Sequence, residues 1–221
     1  MSAKRKKARA KISELIRNKK LSKKYGNWIR VRWWDWKKGF YKYADDYLNE
    51  YDAFSRGWGM LWNMMIADLA PLMRKYNLQD KFFFEEIKEK YGEIRAYHNG
   101  APDEIEDIID AYSVISRNVC QWCGRPDSAI SKGYWVECQC KQCFDKYWKN
   151  STKEHPSYEE QYDTDPENCR IPDVRKVTHF SKDGNKTIEY DIKDIANRYR
   201  NKWNNKERRK KARQKMNGVS N

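Results

Sequence analysis

Residues 120 to 143 read CQWCGRPDSAISKGYWVECQCKQC, which is a CxxC pair, sixteen residues, and a second CxxC pair. Each CxxC turns the chain so that two thiols converge. Gly124, directly after the first pair, suits the tight turn that a knuckle needs. Four thiolates converging on one point match zinc, which takes four sulfurs tetrahedrally at about 2.3 Å each. The expected ligands of a single structural Zn2+ are Cys120, Cys123, Cys140 and Cys143. A filled shell leaves no position for a reacting water, so the expected role is structural and not catalytic. A disulfide or free thiols are the alternatives. Cys138 competes with Cys140 for the third place. Cys140 is preferred because Cys140-x-x-Cys143 repeats the knuckle spacing, and Cys138 then stands beside the metal without ligating it. Cys169 lies apart and is expected to be a free thiol.

Little else in the chain has the pattern of catalysis. A nuclease of the HNH type would hold a His between the two pairs, yet none occurs from Arg125 to Gln139. The three histidines, His98, His155 and His179, are scattered. Ser-His-Asp order, a glycine-rich phosphate loop and HExxH are all missing, so the expectation is a protein that is not an enzyme and has no small-molecule substrate. The acidic group Asp103, Glu104, Glu106 and Asp107 reads as a solvated face opening a helix, where carboxylates offset the macrodipole.

Charge points to a partner. The 221 residues carry a formal net charge of +14, and 35% are charged. Residues 1 to 24 contribute +10 and residues 193 to 215 contribute +9, leaving a mildly acidic middle. A fold does not require basic ends around an acidic middle, whereas a polyanion partner explains them. The candidate nucleic-acid contacts are Lys4, Arg5, Lys6, Lys7, Arg9 and Lys11 at one end. Arg208, Arg209, Lys210, Lys211 and Arg213 are those at the other. Arg30 and Arg32 join them, because they lie among Trp28, Trp33, Trp34 and Trp36, where rings and guanidinium groups can stack on bases. The competing role of those rings is core material, since 39% of the chain is hydrophobic in the wide sense and ten Trp and fifteen Tyr supply much of that volume.

The elements that must position these residues follow from periodicity. Residues 3 to 24 read as a basic helix with a thin stripe of Ile12, Leu15 and Ile16. Residues 27 to 36 read as strand-forming. Residues 38 to 54 read as a helix with Phe40, Tyr43, Tyr47 and Tyr51 on one side. A more apolar helix spans about 60 to 76. Residues 81 to 98 form a hairpin turning at Lys90-Tyr91-Gly92-Glu93, and a helix opens at Pro102 and runs to about Asn118. Within the cysteine region, a knuckle, a short hairpin through Tyr134-Trp135-Val136 and a second CxxC opening a helix describe a treble clef. Residues 151 to 173, polar and acidic with three prolines, read as a linker or long loop. Residues 174 to 190 read as a hairpin, and Asp191 caps a last helix anchored by Ile192, Ile195, Tyr199 and Trp203.

The expected architecture is therefore α+β. A basic arm (1–25) precedes a core with its zinc knuckle (26–150), followed by a linker (151–173) and a hairpin with a basic helix (174–221). No export signal or transmembrane segment is expected. The best apolar stretch, Trp58 to Leu72, is too short and contains Asn63, Asp68 and Pro71. Cysteines in metal spacing without an export signal suggest a reducing compartment, so cytoplasm is expected.

The middle of the chain resembles a family of small proteins encoded by phages and prophages. The resemblance rests on Gly57-Trp58-Gly59, on IKEKYGEIRAYHNG at residues 87 to 100, on the acidic helix after it, and on CQWCGRP and YWVECQCKQC. That family typically carries a VKEKFGGLRFY strand-turn-strand, a helix and a CxxCG…W…LCxxC zinc knuckle. The resemblance covers residues 57 to 148 with order and spacing kept, and Trp135 falls five before the third ligand as in the family. Cys138 occupies a position that is usually polar there. The resemblance implies a zinc-closed knuckle and a bacterial host cell as the setting, and no activity. The leading expectation is a non-catalytic phage protein that binds DNA or RNA through its basic arms. A second is an interaction protein docking on a host protein or ribonucleoprotein complex. A third, weaker one is a virion component touching packaged genome.

Overall fold

A computed structural model describes residues 23–26, 28, 32–35, 40–43, 56–149, 154–181 and 184–218. The fold mixes helices with small antiparallel sheets and is α+β. It divides into two compact units interleaved along the chain. One comprises Trp62–Lys90 and Ile94–Ser113 with the described residues before Arg56. The other comprises Arg56–Leu61, Tyr91–Glu93 and the described residues of Val114–Asn221.

The first unit is built on rings and one apolar helix. Helix α1 (Gly59–Lys75) buries Trp62, Met65, Ile66, Leu69 and Met73, the 3–4 spacing expected of a core-facing helix. It ends where Asn77 takes a left-handed φ of 52°. The Leu78 N–H then donates to the Met73 carbonyl at 2.9 Å, satisfying a carbonyl the helix would leave open. Strands β3 (Phe84–Lys90) and β4 (Glu93–His98) form the expected hairpin. Its two turn residues, Tyr91 and Gly92, both have positive φ, the twist that a two-residue hairpin requires. Phe82 packs edge-on to Phe84 and Trp28, and Trp62 packs on Phe84. Helix α2 (Asp103–Ser116) buries Ile105, Ile109, Tyr112 and Ile115, and the Tyr112 hydroxyl donates to Asp68 at 2.6 Å. Its Glu104 carboxylate is held below the usual range by bonds from Lys75 and Tyr76, a surface arrangement consistent with a solvated acidic face.

Residues 40 to 43 correct one expectation. They form strand β2 (Phe40–Tyr43), paired antiparallel with β1 (Arg32–Asp35), not the start of a helix. FYKY is rich in strand formers, and a cross-strand partner of the same character outweighs helical spacing over so few residues. The remainder of that expected helix lies outside the described residues, as do the N-terminal basic helix up to residue 22 and residues 29 to 31.

The second unit holds the cysteines. Strands β5 (Ala129–Ser131), β6 (Cys138–Gln139) and β7 (Tyr162–Asp163) form an antiparallel sheet in the order β6-β5-β7. Helix α3 (Lys141–Trp148) follows β6 directly. The segment expected to be a linker instead folds into this unit. It supplies α4 (Tyr158–Gln161), opened by a Ser157–Glu160 capping box, then β7, then α5 (Pro166–Cys169), capped by Asp165. Tyr158 and Tyr162 are stacked, 4.7 Å between centroids, and bury against Phe144 and Ala129. The Tyr158 hydroxyl donates to the Gln139 carbonyl at 2.6 Å. Two tyrosines four residues apart, with the buried Ile171, thus anchor a segment that is otherwise mostly polar.

Strands β8 (Val174–Ser181) and β9 (Gly184–Asp191) make the expected hairpin, and α6 (Lys193–Gly218) follows, with the Asp191 carboxylate accepting from the Lys193 N–H. Ile192, Ala196, Tyr199 and Trp203 are buried, and α6 is almost wholly exposed beyond Trp203. Among the described residues no helix is long and apolar enough to cross a membrane.

Tyr162→Ala should lower the unfolding free energy by about 3 kcal/mol in chemical denaturation, the cost of emptying a buried aromatic site. Tyr134→Ala, at a fully exposed tyrosine, should change it by less than about 0.5 kcal/mol. A bare linker at residues 154 to 173 would show no such contrast.

Candidate metal centre

The backbone makes each CxxC a hook. At the first, the Gly124 N–H donates to the Cys120 carbonyl at 2.8 Å and the Cys120 N–H to the Arg125 carbonyl at 2.9 Å. Gly124 has φ +85°, the left-handed value that the knuckle spacing anticipates. At the second, Cys140 is the N-cap of α3, and the N–H groups of Cys143 and Phe144 both reach its carbonyl. Cys143 therefore sits in the first helical turn, where the helix dipole favours a thiolate. The Gln121 N–H donates to the Cys138 carbonyl at 2.9 Å and ties the hooks together.

The result is a cluster of Cys120, Cys123, Cys140 and Cys143 with all four Sγ atoms within 4.8 Å of one another. None is in a disulfide. Cys123 Sγ and Cys140 Sγ are 3.7 Å apart. Bonds of about 2.3 Å to a tetrahedral ion imply a sulfur–sulfur edge of about 3.8 Å, so the donor set fits such an ion. Cys138 is outside the cluster, as the spacing argument anticipates. Its Sγ is wholly buried and lies 3.5 Å from the Ser128 carbonyl, and burial pushes its pKa up, keeping it a neutral thiol. Cys169 is also a free thiol, donating to the Asp163 carbonyl.

Electrostatics argue for a cation. Hydrogen bonds from Cys123 and its neighbours push the Cys120 thiol far down. The same contact with Cys120 pushes Cys123 and Cys143 far up. Outweighing the contact with Cys120, contacts with Cys123 and Cys143 lower Cys140, to about 7. Without a positive ion the site thus favours thiolates at Cys120 and Cys140 and resists them at Cys123 and Cys143, whereas a bound dication favours all four.

Neighbouring groups fix the hooks. Gly57 of the Gly-Trp-Gly motif donates its N–H to the Gln121 carbonyl at 2.8 Å. A Cβ at Gly57 would stand 2.1 Å from the Cys120 carbonyl oxygen, so only glycine allows this approach. The buried Trp58 donates its indole N–H to the Val119 carbonyl at 2.8 Å. From α6, the buried Tyr199 hydroxyl donates to the Gly124 carbonyl at 2.7 Å. Arg200 forks onto Asp127, 2.9 Å to Oδ1 and 3.0 Å to Oδ2, and reaches the Ile171 carbonyl. Asp127 itself holds φ 53° and accepts from the Ile171 N–H. The stripe on α6 was legible in the sequence, but Arg200 and Asp127 were not, because a charged pair 73 positions apart leaves no local pattern.

The proposed nucleic-acid contacts are dispersed. Arg208, Arg209, Lys210, Lys211 and Arg213 are exposed on the outer half of α6. Arg32 lies on β1, in register with Tyr43. Lys4, Arg5, Lys6, Lys7, Arg9, Lys11 and Arg30 lie outside the described residues. Trp28 is fully buried, consistent with the core role for that ring. None of the histidines approaches the thiol cluster among the described side chains. His98 packs on Phe82, with burial lowering its pKa, and His155 stacks on Trp148 at 4.3 Å. The chain matches no protein-family model, no curated protein and no solved structure.

Purified protein should bind one metal ion per chain, measured by elemental analysis. Cys120→Ser or Cys143→Ser should abolish this, while Cys138→Ala should retain it. Retention by Cys140→Ser together with loss in Cys138→Ala would reverse the ligand assignment. Gly57→Ala should cost about 1–3 kcal/mol of stability by overpacking the first hook, read as a lowered Tm of the metal-loaded protein.

Proposed function

We propose that this is a non-catalytic, zinc-stabilised phage protein that binds nucleic acid through its basic arms. Zinc is the ion that best suits four thiolates at tetrahedral spacing, and it would be held by Cys120, Cys123, Cys140 and Cys143. The order of knuckle, β5–β6 hairpin and α3 supports a treble-clef reading of this region. The phage reading rests on the sequence resemblance over residues 57 to 148. The residues that carry it also have a structural part: Gly57 and Trp58 pack on the first hook, and a Cβ at Gly92 of the Tyr-Gly turn would stand 3.2 Å from a Val136 methyl, just before the second hook.

One observation carries the nucleic-acid reading. Helix α6 is fixed to the hooks by Tyr199 and Arg200, and its outer half then presents Arg208, Arg209, Lys210, Lys211 and Arg213 to solvent with only Glu207 among them. A row of cations on an anchored helix suits phosphate contacts that do not read sequence. A tetrathiolate shell that a bound zinc would fill, with no histidine near it among the described side chains, argues against catalysis at this site. A second reading, docking on a host protein or ribonucleoprotein complex, is favoured by Tyr134 and Trp135, which stand exposed on the β5–β6 loop.

Affinity for DNA or RNA should fall by orders of magnitude between about 50 and 200 mM salt if roughly 6–10 phosphates are contacted. Changing Arg208, Arg209, Lys210, Lys211 and Arg213 together to Gln should leave metal content intact and cut affinity at least tenfold at low salt. Intact protein with no affinity at low salt would favour the docking reading.

A further inference from the structure

Beside the hooks runs a groove of about 620 Å³, lined by Cys123 and Cys143, by Lys146 and Lys149 of α3, and by Lys210 of α6. Gln142 and Asp145 complete its lining. Cys123 and Cys143 are the two half-buried members of the thiol cluster, so the groove passes the open side of the metal centre. The three lysines are exposed. Next in sequence to groove residues stand Trp122, between the first two cysteines, and Tyr147, directly after Lys146. They are 55% and 64% exposed, with ring centroids 6.2 Å apart. Tyr147 also meets Trp148 edge-on, and Trp148 packs on the buried Phe144. The outer rings therefore rest on a ring cluster that continues into the core.

Two large rings are held more than half exposed beside a lysine-lined groove. Aromatic faces of this kind accept unpaired bases, and lysines at their side accept the phosphates. Four thiolates with a dication carry −2 and Asp145 adds −1, which the three lysines offset. Lys206 and Arg213, on the same stripe of α6 as Lys210 by helical spacing, leave the track cationic. Asp145 discriminates between strands. Its Oδ1 lies 3.6 Å from Lys141 Nζ, an exposed pair that leaves the carboxylate able to repel phosphate and to accept a hydrogen bond from a hydroxyl, and only ribose offers a 2′-hydroxyl.

We propose that this groove and the Trp122–Tyr147 pair form a binding site for single-stranded RNA, with bases on the two rings and phosphates on Lys146, Lys149 and Lys210. The site rests on the nucleic-acid reading above but is distinct from the phosphate contacts of the arms. It gives the protein a preference for unpaired strands that arms alone do not supply.

The test uses the full-length, metal-loaded protein and a fluorescein-labelled 12-mer of oligo(U), titrated over a range of salt. Trp122→Ala and Tyr147→Ala should each weaken oligo(U) binding roughly 5- to 100-fold with an unchanged salt slope, the signature of lost stacking. Trp122→Phe should recover much of the loss. Lys146→Ala and Lys149→Ala should each lower the salt slope by about one. Binding to an RNA duplex of equal length should not respond to the ring substitutions. Both rings are exposed, so the variants should keep their metal, which elemental analysis verifies. Oligo(U) binding that is unaffected by both ring substitutions would overturn the site while leaving arm-driven binding standing. Loss of all nucleic-acid binding in the parent protein would instead overturn the broader reading. Equal affinity for oligo(dT), or no gain in DNA affinity on Asp145→Asn, would overturn the assignment to RNA.

Discussion

Four sulfur atoms within 4.8 Å of one another pack without cost as neutral thiols but repel one another as thiolates unless a positive charge stands among them. Thiolates at Cys120 and Cys140 oppose ionisation at Cys123 and Cys143, whose thiols are pushed up. The rest of the second unit is arranged around that problem. Hydrogen bonds close both hooks, and α3 points its N-terminus at one of them. Gly57, Trp58, Tyr199 and the Asp127–Arg200 fork brace the other from outside. A small sheet of two- and three-residue strands would be marginal alone. Here it is carried by the hooks on one side and by the Tyr158–Tyr162 stack on the other.

What was legible in the sequence and what was not divides along a physical line. The cysteine spacing identified all four members of the cluster, and it separated Cys140 from Cys138, because the knuckle is a local turn whose geometry is written in adjacent residues. The β3–β4 turn at Tyr91-Gly92 and the stripe of α6 are local in the same sense. Residues 40 to 43 were misread because aromatic spacing of three and four can be met by chance in a short run, while the strand partner that decides the matter lies elsewhere in the chain. The segment 151 to 173 was misread for a different reason. Its composition is that of a solvated loop, and among its described residues only Tyr158, Tyr162 and Ile171 are buried, too few to outweigh the polar average. Long-range polar contacts such as Arg200 with Asp127 were beyond reach, since either residue taken singly resembles any surface charge.

The aromatic content divides similarly. Trp28, Trp58, Trp62 and Trp203 are buried, as the scarcity of aliphatic residues anticipated. Trp122 and Tyr147, whose rings meet, and Tyr134 and Trp135 on the β5–β6 loop remain in water, all within a stretch of 26 residues. Tryptophan costs most to expose, so the paired Trp122 and Tyr147 mark a surface suited to meeting something else.

Helix α6 spans 26 residues, about 39 Å. Among its described side chains the buried anchors end at Trp203, and residues 204 to 215 are almost wholly exposed, so this stretch has little tertiary packing to sustain it. Isolated helices of this size are marginal in water, and Lys206 with Lys210, Arg209 with Arg213 and Lys211 with Lys215 place like charges one turn apart. The outer turns are thus held by intrinsic preference against their own repulsion. Neutralising those charges removes the repulsion and leaves the preference, so helical order in the outer turns and contact with an anionic partner reinforce each other. Circular dichroism at 222 nm would register that coupling as a gain in helix on raising salt or adding a polyanion, in a protein whose buried core is unchanged.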